Sequence, residues 1–506
     1  MKKQENLDRK NDEKIIKKEV EKTIKQSKFD IKKLRSDFIE MLYFRKEEDL
    51  AINIFIDALY NFYSFKAIAN DTCTELMVYD KRLGVYKPNG KSVIKSFFGK
   101  TISVYRGNGG DRILNKIISK VAHSNYISFD DYYHLKNPEL LVVGNGILNI
   151  DTQKLKPYSD KKIQRIRLKW NYNPEAKTDK IEKFFNSMMD EKSVLLLQEF
   201  LGHTLFKEYK FQKFLIFEGK GANGKSVLLK LLRYFFDYEN YTGFSISDFA
   251  NISPDHFMFA ELFDKLINLG GDTGTSVFSD SSLIKRLTGD DIINANRKFL
   301  TSIKFSNSSK FISSFNELPE TFDTTDGFWR RVEFIEFPYT FVSKNVYDKK
   351  SKDEKKYCKV ENKKILNNLL NKESMEALLK WIVDGYVRLT EQGEFTENYS
   401  KQELRRRWLH KSNSFEGFID EHCEFDDGWY VTDILKKELR NQYQQYCNDN
   451  KLRVQGPKAI KKSLIERKVR TIQKNNNSKN SKDTYYWSGM KIRETSPYYC
   501  EYEDNS

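Results

Sequence analysis

The spacing of hydrophobic residues changes along the chain and predicts where helices and strands lie. Residues 13–45 place apolar side chains at helical intervals and predict one or two charged amphipathic helices. Short β-like runs predict strands between residues 75 and 150. Residues 178–207 and 361–408 have helical spacing, whereas residues 211–341 alternate apolar strands with helices. That alternation is typical of an α/β domain.

The composition is that of a folded chain without the marks of a secreted or membrane protein. The 506 residues are 39% hydrophobic and 14% aromatic, which allows a sizeable core and about three domains. Purely apolar runs such as Leu140–Val143 are far shorter than a membrane span. No apolar stretch follows the basic residues at the start of the sequence, so we expect no secretory signal, no membrane contact and a cytoplasmic location.

The cysteines and histidines argue against two further classes of protein. The five cysteines are far apart and form no CxxC pair, so we expect neither a disulfide framework nor a structural zinc cluster. The six histidines form no HExxH motif, which disfavours a zinc hydrolase.

The net charge of +15 is concentrated in two segments. Residues 451–493 hold 13 Lys and Arg against two acids, whereas residues 1–35 hold 13 against seven. Aromatic and β-branched residues lie between the cations of 451–493, as expected for a surface that contacts a phosphate backbone. The charges of residues 1–35 alternate in sign, which is typical of a solvated helix. The segment 344–362 is rich in Lys, Asp and Asn and predicts an exposed loop.

One glycine-rich motif points to a phosphate-binding site. Residues 219–226 follow the GxxxxGKS pattern, between a predicted strand at Phe214–Phe217 and a predicted helix at Val227–Phe236. In such a loop the backbone N–H groups face phosphate oxygens, the Lys225 ammonium reaches the outer phosphates, and the Ser226 hydroxyl ligates Mg²⁺. The predicted ATP-binding residues are Gly219, Gly221, Ala222, Asn223, Gly224, Lys225 and Ser226.

Polar groups next to later strands are candidates to complete this site. Asp272 follows one predicted strand and is expected to hold Mg²⁺, because ligands sit at the carboxyl ends of parallel strands. Asn316 follows the next predicted strand, where its amide could hold a water molecule or the γ-phosphate. Arg330 and Arg331 precede another strand and are candidate arginine fingers, acting within the same subunit or on a neighbouring one.

The order of these motifs resembles superfamily 3 helicases, most closely the helicase part of the phage and plasmid primase-helicase family that includes the poxvirus helicase-primase. The motifs are Gly219–Ser226, Asp272, Lys285–Asp290 with Arg297 and Lys298, Phe315–Pro319, and Asp326–Arg331. Residues 145–150, 172–176 and 197–202 look like the domain before the family's ATPase, and residues 415–490 look like its winged-helix region. The resemblance covers roughly residues 75–490.

The resemblance implies an α/β fold: an AAA+-like P-loop ATPase core, an N-terminal α+β and helical region, and a C-terminal winged-helix domain. The implied domains are a basic helical region (1–74), a family-specific domain before the ATPase (75–207), the ATPase with its following helices (208–410) and the winged helix (411–506). The resemblance also implies a homo-oligomeric ring, usually a hexamer, that surrounds DNA and binds ATP between subunits.

The same resemblance implies roles for single residues. Lys225 and Ser226 would bind the phosphates and Mg²⁺, and Asp272 would be the acid on the metal side. Asn316 matches the family's sensor asparagine, and Arg330 or Arg331 would reach the ATP of the next subunit. Residues 285–298 match a motif whose hairpin grips one DNA strand in the channel, with Lys285, Arg297 and Lys298 as its cations.

The basic C-terminal segment predicts a helix followed by a two-stranded ribbon. Residues 456–467 predict a short helix that begins with Pro457, and residues 469–473 and 484–488 predict the two strands. In the winged-helix arrangement the helix enters the major groove while the ribbon touches the backbone. The predicted DNA-binding cations of this helix are Lys458, Lys461, Lys462 and Arg467.

Departures from the family pattern keep two functions open. Gly271 stands where the family usually has a second acid, so the general base is unassigned. The segment before the matched region lacks an isolated DxD, so we expect no primer synthesis and a separate primase or host replication proteins as partners. The leading hypothesis is an ATP-dependent DNA helicase and replication initiator of a phage, plasmid or genomic island. The alternative is an ATP-switched origin-binding initiator or helicase loader with little unwinding, and a small-molecule P-loop kinase is disfavoured by the basic C-terminus.

Overall fold

A computed structural model describes most of the chain. The described residues are 14–25, 29–69, 74–102, 108–128, 137–245, 248, 257–271, 281–297, 300–316, 318–319, 325–425, 433–450, 452, 454–474 and 484–499.

The N-terminal part combines helices with a small mixed sheet. Its helices are α1 (residues 14–25), α2 (Ile31–Ile39), α3 (Glu48–Tyr60), α4 (Gly90–Thr101) and α5 (Asn108–Ser124), with a π-helical turn at Glu40–Phe44. Its strands are β1 (Phe65–Ala69), β2 (Thr74–Asp80), β3 (Val85–Lys87) and β4 (Tyr126–Ile127), in the order β3-β2-β1-β4. Val20 and Phe55 of the helices share one hydrophobic core with Phe65 and Val78 of the sheet. The core is therefore continuous across residue 74, because β1 and β2 pair antiparallel.

A second sheet and two helices follow before the central domain. The elements are β5 (Leu140–Val143), β6 (Gly146–Asn149), β7 (Lys154–Lys156), α6 (Asp179–Asn186) and α7 (Glu191–Leu205). The three strands form an antiparallel meander. Asp190 caps α7 by accepting a hydrogen bond from the Ser193 N–H at 3.0 Å, which satisfies one of the helix's unpaired donors.

A five-stranded parallel sheet forms the centre of the molecule. The strands are β8 (Phe214–Glu218), β9 (Tyr241–Thr242), β10 (Ile267–Gly270), β13 (Lys310–Phe315) and β14 (Val332–Glu336), in the order β14-β8-β13-β10-β9. The intervening helices are α8 (Lys225–Phe236), α9 (Phe257–Ala260), α10 (Ser282–Leu287) and α11 (Asp326–Trp329). Every residue of β8, β10 and β13 is buried, as expected when both faces of a parallel sheet are covered. The predicted α/β class is confirmed, and later strands flank β8 on both sides, so its carboxyl end is a topological switch point.

A β-hairpin is inserted in the chain between β10 and β13. Its strands are β11 (Ile292–Arg297) and β12 (Leu300–Ser306), which pair antiparallel with a register shift between Ala295 and Arg297. Ile293 and Phe305 of the hairpin share a hydrophobic core with Met77 of β2. The hairpin is therefore packed against the N-terminal sheet.

The chain then forms a helical layer after the central sheet. The elements are β15 (Thr340–Val342), α12 (Lys344–Asp348), α13 (Lys352–Lys355), β16 (Cys358–Val360), α14 (Ile365–Leu369), α15 (Lys372–Gln392) and α16 (Lys401–Ser412). Arg388 of α15 donates to the buried Glu199 of α7 at 2.8 Å, and Gln198 donates to the Trp381 carbonyl at 2.7 Å. The expectation of a loop at 344–362 is wrong in part, because two short helices form there and β16 pairs parallel with β15.

The C-terminal unit has a core of its own. Its elements are α17 (Ser414–His422), β17 (Cys423–Phe425), β18 (Asp433–Leu435), α18 (Lys436–Asp449), α19 (Pro457–Glu466), β19 (Arg470–Lys474), β20 (Thr484–Ser488) and β21 (Met490–Ile492). The antiparallel sheet has the order β18-β20-β19, and β17 pairs with β21. Phe418, Tyr443, Leu464 and Trp487 contribute to this core. The predicted helix and two-stranded ribbon thus form as α19, β19 and β20.

Neither a membrane-spanning helix nor a metal-binding cluster of side chains is present in the described ranges. No helix there is long and apolar enough to cross a bilayer. Nor do three or more His, Cys, Asp or Glu side chains cluster there in a way that could hold a metal ion.

Two buried lysines lie near the end of α7. Lys310 donates to the backbone carbonyls of Phe206, Glu208 (2.8 Å) and Ser308 (2.9 Å), which ties the start of β13 to the end of α7. Lys207 donates to Gln164 Oε1 at 3.0 Å. Burial lowers the pKa of Lys207 to about 7, because the charged ammonium loses its hydration.

The pKa of Lys207 predicts a pH-dependent stability. Between pH 7 and pH 10.5 the unfolded chain holds a proton on this amine that the folded protein releases, so stability rises with pH over that window. Lys207→Met removes the cost of the buried charge but leaves Gln164 without its donor. The free energy of unfolding should rise by a net amount of about 3 kcal/mol near pH 6.5. Thermal unfolding midpoints at pH 6.5 and 9.5 measure this gain, which should shrink at the higher pH. The exposed Lys210→Met serves as the control, and an equal loss of stability at both pH values would contradict the prediction.

Candidate functional site

The glycine-rich loop joins the buried strand β8 to helix α8 at the carboxyl edge of the central sheet. Gly224 has a φ of +93°, and a Cβ at this position would lie 2.8 Å from Met188 Sδ, so glycine is required there. Ala222 also lies in the left-handed region, with a φ of 62°. The loop is fixed from outside by the Phe341 N–H, which donates to the Ala222 carbonyl at 2.8 Å. The observed strand and helix confirm the context predicted for this motif.

Lys225 is buried at the first turn of α8 and points back into the loop. Its Nζ donates to the Gly219 carbonyl, to Asn223 Oδ1 at 3.2 Å and to Asn316 Oδ1 at 3.2 Å. Asn316 follows β13, the strand next to β8, so parallel pairing brings its amide to this edge. The fold therefore joins Lys225 and Asn316, which are 91 residues apart in sequence.

The loop has the chemistry to receive an anion. The Asn223 Nδ2 donor is buried, and no described residue accepts a hydrogen bond from it. A buried donor without an acceptor is costly, and an oxygen of a bound anion would satisfy it. No atom lies within 4 Å of a Cβ built on Gly221, and Ser226 is exposed. These observations fit a phosphate group at the loop with Ser226 available to a Mg²⁺ ion.

The predicted metal-side acid falls at the edge of what the structure describes. Strand β10 ends at Gly270, two strands away from β8, and Gly271 follows it. Asp272 itself lies outside the described residues. Its role as a Mg²⁺ ligand remains a prediction.

Arg330 and Arg331 lie at the amino ends of the parallel strands, which is the edge of the sheet opposite the loop. They precede β14, whose first residue Val332 is paired with Phe214 at the start of β8. Five residues of strand separate this edge from the loop, which is about 16 Å. Both guanidinium groups donate to Gln212 Oε1, Arg330 at 3.2 Å and Arg331 at 3.1 Å. Arg331 is buried and Arg330 is exposed. The pKa of Arg331 is lowered, mainly by its burial and also by the nearby Arg330 charge.

Lys285 lies beside this arginine pair. Its Nζ donates to Thr325 Oγ1 at 2.8 Å, and its Cε lies 3.7 Å from a Cβ built on Gly327. Arg331 donates to the Gly327 carbonyl at 2.5 Å. Lys285, Arg330 and Arg331 therefore lie close together just before β14. The sequence did not indicate that Lys285 would lie beside the arginine pair.

The hairpin tip does not present both of its predicted cations. The Arg297 side chain forms a two-point ion pair with Glu75 of β2, in which Nη1 lies 3.2 Å from Oε2 and Nη2 contacts Oε1. Both side chains are about four-fifths buried, with exposed fractions of 16% and 19%. Arg297 therefore engages an acid of the N-terminal sheet, 222 residues away in sequence. Lys298 lies outside the described residues.

Three of the four predicted cations on α19 face solvent. Lys458, Lys461 and Lys462 are exposed, although Lys462 has Glu466 on the same helix at 4.0 Å. Arg467 instead forms an ion pair with Glu416 of α17 at 2.6 Å and lies over the Phe425 ring. Arg467 therefore links the end of α19 to α17.

Lys436 is a cation of the same surface that the sequence reasoning missed. Its Nζ donates to Thr471 Oγ1 at 3.0 Å and lies 4.1 Å from the centre of the Trp487 ring. Burial and the nearby Lys461 charge lower its pKa, so these two lysines are close together. Two clustered cations with no carboxylate within 4 Å among the described residues favour an anionic partner. The sequence signal was a lysine at the start of a helix that follows a strand.

Comparison with known families gives two matches within the chain. Residues 43–190 match the family described as D5 N terminal like. Residues 217–331 match a family of unknown function, DUF5906, and this segment contains the whole glycine-rich loop and ends at the arginine pair.

One curated relative and several solved structures are similar to the chain. V13 of Sputnik virophage, provisionally named a helicase, is 24% identical over an alignment of 461 positions that covers 83% of this chain and 55% of V13. The chain thus spans about half the length of that relative. An apo structure of the NrS-1 C-terminal region is 15% identical with a TM-score of 0.39 over 85% of this chain and 98% of that one. A JCV helicase structure is 11% identical with a TM-score of 0.23 over 63% of this chain and 84% of that one. The D5 match and the virophage relative together support a phage and virus primase-helicase-like family.

Proposed function

We propose that this chain is an ATP-dependent DNA helicase and replication initiator of a phage and virus primase-helicase-like family. The relatives support a helicase-like function in replication. The finer proposal is a motor of a phage, plasmid or genomic island that hydrolyses ATP and translocates on DNA as a ring. The observation that carries it is the position of Lys225 and Asn316 at one edge of the central sheet, with the arginine pair at the other.

The two edges would belong to one composite ATP site shared by neighbouring protomers. Since about 16 Å of strand separates Arg330 and Arg331 from the loop of their own chain, a phosphate held at Lys225 is beyond their reach. A head-to-tail contact would bring the arginines of one protomer to the loop of the next, and repetition of that contact closes a ring. We propose a hexamer, with Lys285 beside the arginines at the same contact.

Each residue of this chain would then have one task in hydrolysis. The loop from Gly219 to Ser226 would bind the triphosphate, and Lys225 would face its outer phosphates. Ser226 and Asp272 would hold Mg²⁺, which neutralises phosphate charge when bound. Asn316 would orient the attacking water or the γ-phosphate, and the arginine of the neighbour would stabilise the charge of the transition state.

The domain plan supports binding to DNA at two places. The core is proposed to be an AAA+-like P-loop ATPase whose hairpin β11–β12 contacts a single strand. The C-terminal unit is proposed to be a winged helix, since α17, β18, α18, α19 and the β19–β20 ribbon follow one another around one core. Lys458, Lys461, Lys462 and Lys436 would contact duplex DNA at an origin.

The partners and location follow from this function. We propose that a separate primase or host replication proteins act with this protein. Its proposed place of action is the cytosol of the host cell.

A second function is an ATP-switched origin-binding initiator or helicase loader. Gly271 favours it, because a single acid after β10 leaves the residue that orients the water unassigned. Such a protein would bind and turn over ATP yet release little or no strand.

Strand displacement on forked DNA separates the two functions. Wild-type protein and Lys225→Ala are compared on forks with a single-stranded tail of either polarity, with ATP hydrolysis measured in the same samples. The helicase proposal predicts release of the labelled strand by the wild type and none by the variant. ATP hydrolysis without release at either polarity would favour the initiator or loader.

A further inference from the structure

The two faces of the hairpin β11–β12 differ in chemistry. Burial alternates along residues 292–296 and 302–306, so one face is packed and the other is in solvent. The packed face carries Ile293, Ala295, Ile303 and Phe305. The solvent face carries Ile292, Asn294, Asn296, Ser302, Lys304 and Ser306.

The solvent face suits a nucleic-acid backbone. It has no acidic residue, and five of its six side chains can donate a hydrogen bond. Asn294 and Lys304 lie directly opposite each other across the two strands. Amide, hydroxyl and ammonium groups are the side chains that contact phosphates and sugars. Lys304 is exposed, and none of the other five side chains of this face is acidic.

Arg297 belongs to the packed side. Its ion pair with Glu75 joins the end of β11 to β2, where Met77 and Tyr79 share the hydrophobic core of Ile293 and Phe305. A two-point guanidinium–carboxylate contact fixes orientation as well as distance. Releasing Arg297 to a phosphate would leave Glu75 as a mostly buried, unpaired carboxylate, which is unfavourable.

We infer that the hairpin contacts single-stranded nucleic acid through its solvent face, centred on Asn294 and Lys304, and that Arg297 is a positioning residue that anchors the hairpin through Glu75. This inference rests on the proposed function and changes its account of the hairpin. The N-terminal sheet then determines where Lys304 is positioned relative to the bound nucleic-acid strand.

The first test measures the solvent face. Binding of the full-length protein to fluorescein-labelled oligo(dT) is followed by anisotropy at several salt concentrations. Lys304→Ala is expected to weaken binding about 5-fold and to reduce the salt slope by about 0.7, the value for one single-strand phosphate contact. The exposed Lys230→Ala on α8 is the matched control and should bind as the wild type does. Equal binding by Lys304→Ala and Lys230→Ala would overturn the assignment of the solvent face.

The second test separates an anchor from a DNA contact at Arg297. The variants are Arg297→Glu, Glu75→Arg and the double exchange, each measured for oligo(dT) binding and for thermal unfolding. An anchor predicts that each single change lowers both properties and that the double exchange restores both to near wild type. Arg297 would instead be a DNA contact if the double exchange restored the unfolding midpoint but not the binding.

These outcomes remain distinct from a failure of the proposed function. If the wild-type protein bound no oligo(dT) and nucleic acid did not stimulate its ATP hydrolysis, the helicase proposal itself would fail. If the wild type bound and the Lys304 and exchange variants behaved as controls, only the account of the hairpin would fail.

Discussion

Replacement of Lys225 by alanine is expected to lower ATP hydrolysis by about 100-fold or more. The Lys225 ammonium is buried in the loop and bonded to the Gly219 carbonyl, Asn223 and Asn316. Alanine removes the positive charge that would face the outer phosphates, where one preorganised donor is worth about 10²–10³ in rate. Steady-state release of phosphate at saturating ATP measures the loss.

The matched control for Lys225 lies on the same helix. Lys230 is exposed on α8, so Lys230→Ala should keep the wild-type rate. Thermal unfolding of both variants separates a catalytic loss from a folding defect. Hydrolysis by Lys225→Ala within threefold of the wild type would contradict the assignment of the loop.

Replacement of the arginine finger is expected to cause the second large loss of ATP hydrolysis. Mixing the variant with a second inactive variant should restore part of that activity. An arginine that stabilises the transition state in trans contributes about 10³-fold or more, so loss of the finger should nearly abolish hydrolysis and leave nucleotide affinity within a few fold. Arg330→Ala and Arg331→Ala are made separately, because either side chain can be the finger. Arg440→Ala, an exposed arginine of α18, is the control.

Mixing the inactive finger variant with Lys225→Ala tests whether the arginine acts in trans. In a ring assembled at random from equal amounts, a site is intact when an unaltered loop meets a neighbour with unaltered arginines. That arrangement occurs at about one quarter of the sites, so about one quarter of the wild-type rate should return. If the two inactive proteins stayed inactive when mixed, although their rings were shown to exchange protomers, the arginine would act within its own chain.

The sequence predicted the glycine-rich loop and its flanking strand and helix well, because their signals are local. The apolar run at β8, the glycines and the amphipathic α8 are contiguous, so motif and periodicity agree. Asn316 is brought to Lys225 by the pairing of β13 with β8, and a position directly after a buried strand was enough to suggest it.

The sequence failed where a side chain's partner lies far away in the chain. Arg297 was expected at a channel tip, but its neighbour is Glu75, and no local pattern connects them. Arg467 was assigned to DNA by its place on a basic helix, yet Glu416 of α17 lies beside it. A cation's position on an element can be inferred from periodicity, whereas the acid that neutralises it depends on tertiary packing.

A local signal was present but overlooked in residues 344–362. Ser351 and Glu354 form a capping box that starts α13, and the S-x-x-E spacing is readable from sequence. Strand β16 had no such signal, because three residues that pair with β15 are too few for a periodic pattern.

The central claim is that ATP binds between protomers of a ring, and native mass spectrometry tests it most directly. The full-length protein is measured alone, with a non-hydrolysable ATP analogue, and with the analogue and forked DNA. The account predicts a closed oligomer, expected to be a hexamer, that carries nucleotide and forms most completely with analogue and DNA together. A monomer that binds the analogue and DNA and stays monomeric at micromolar concentration would contradict it, because no neighbouring arginine would then face the loop.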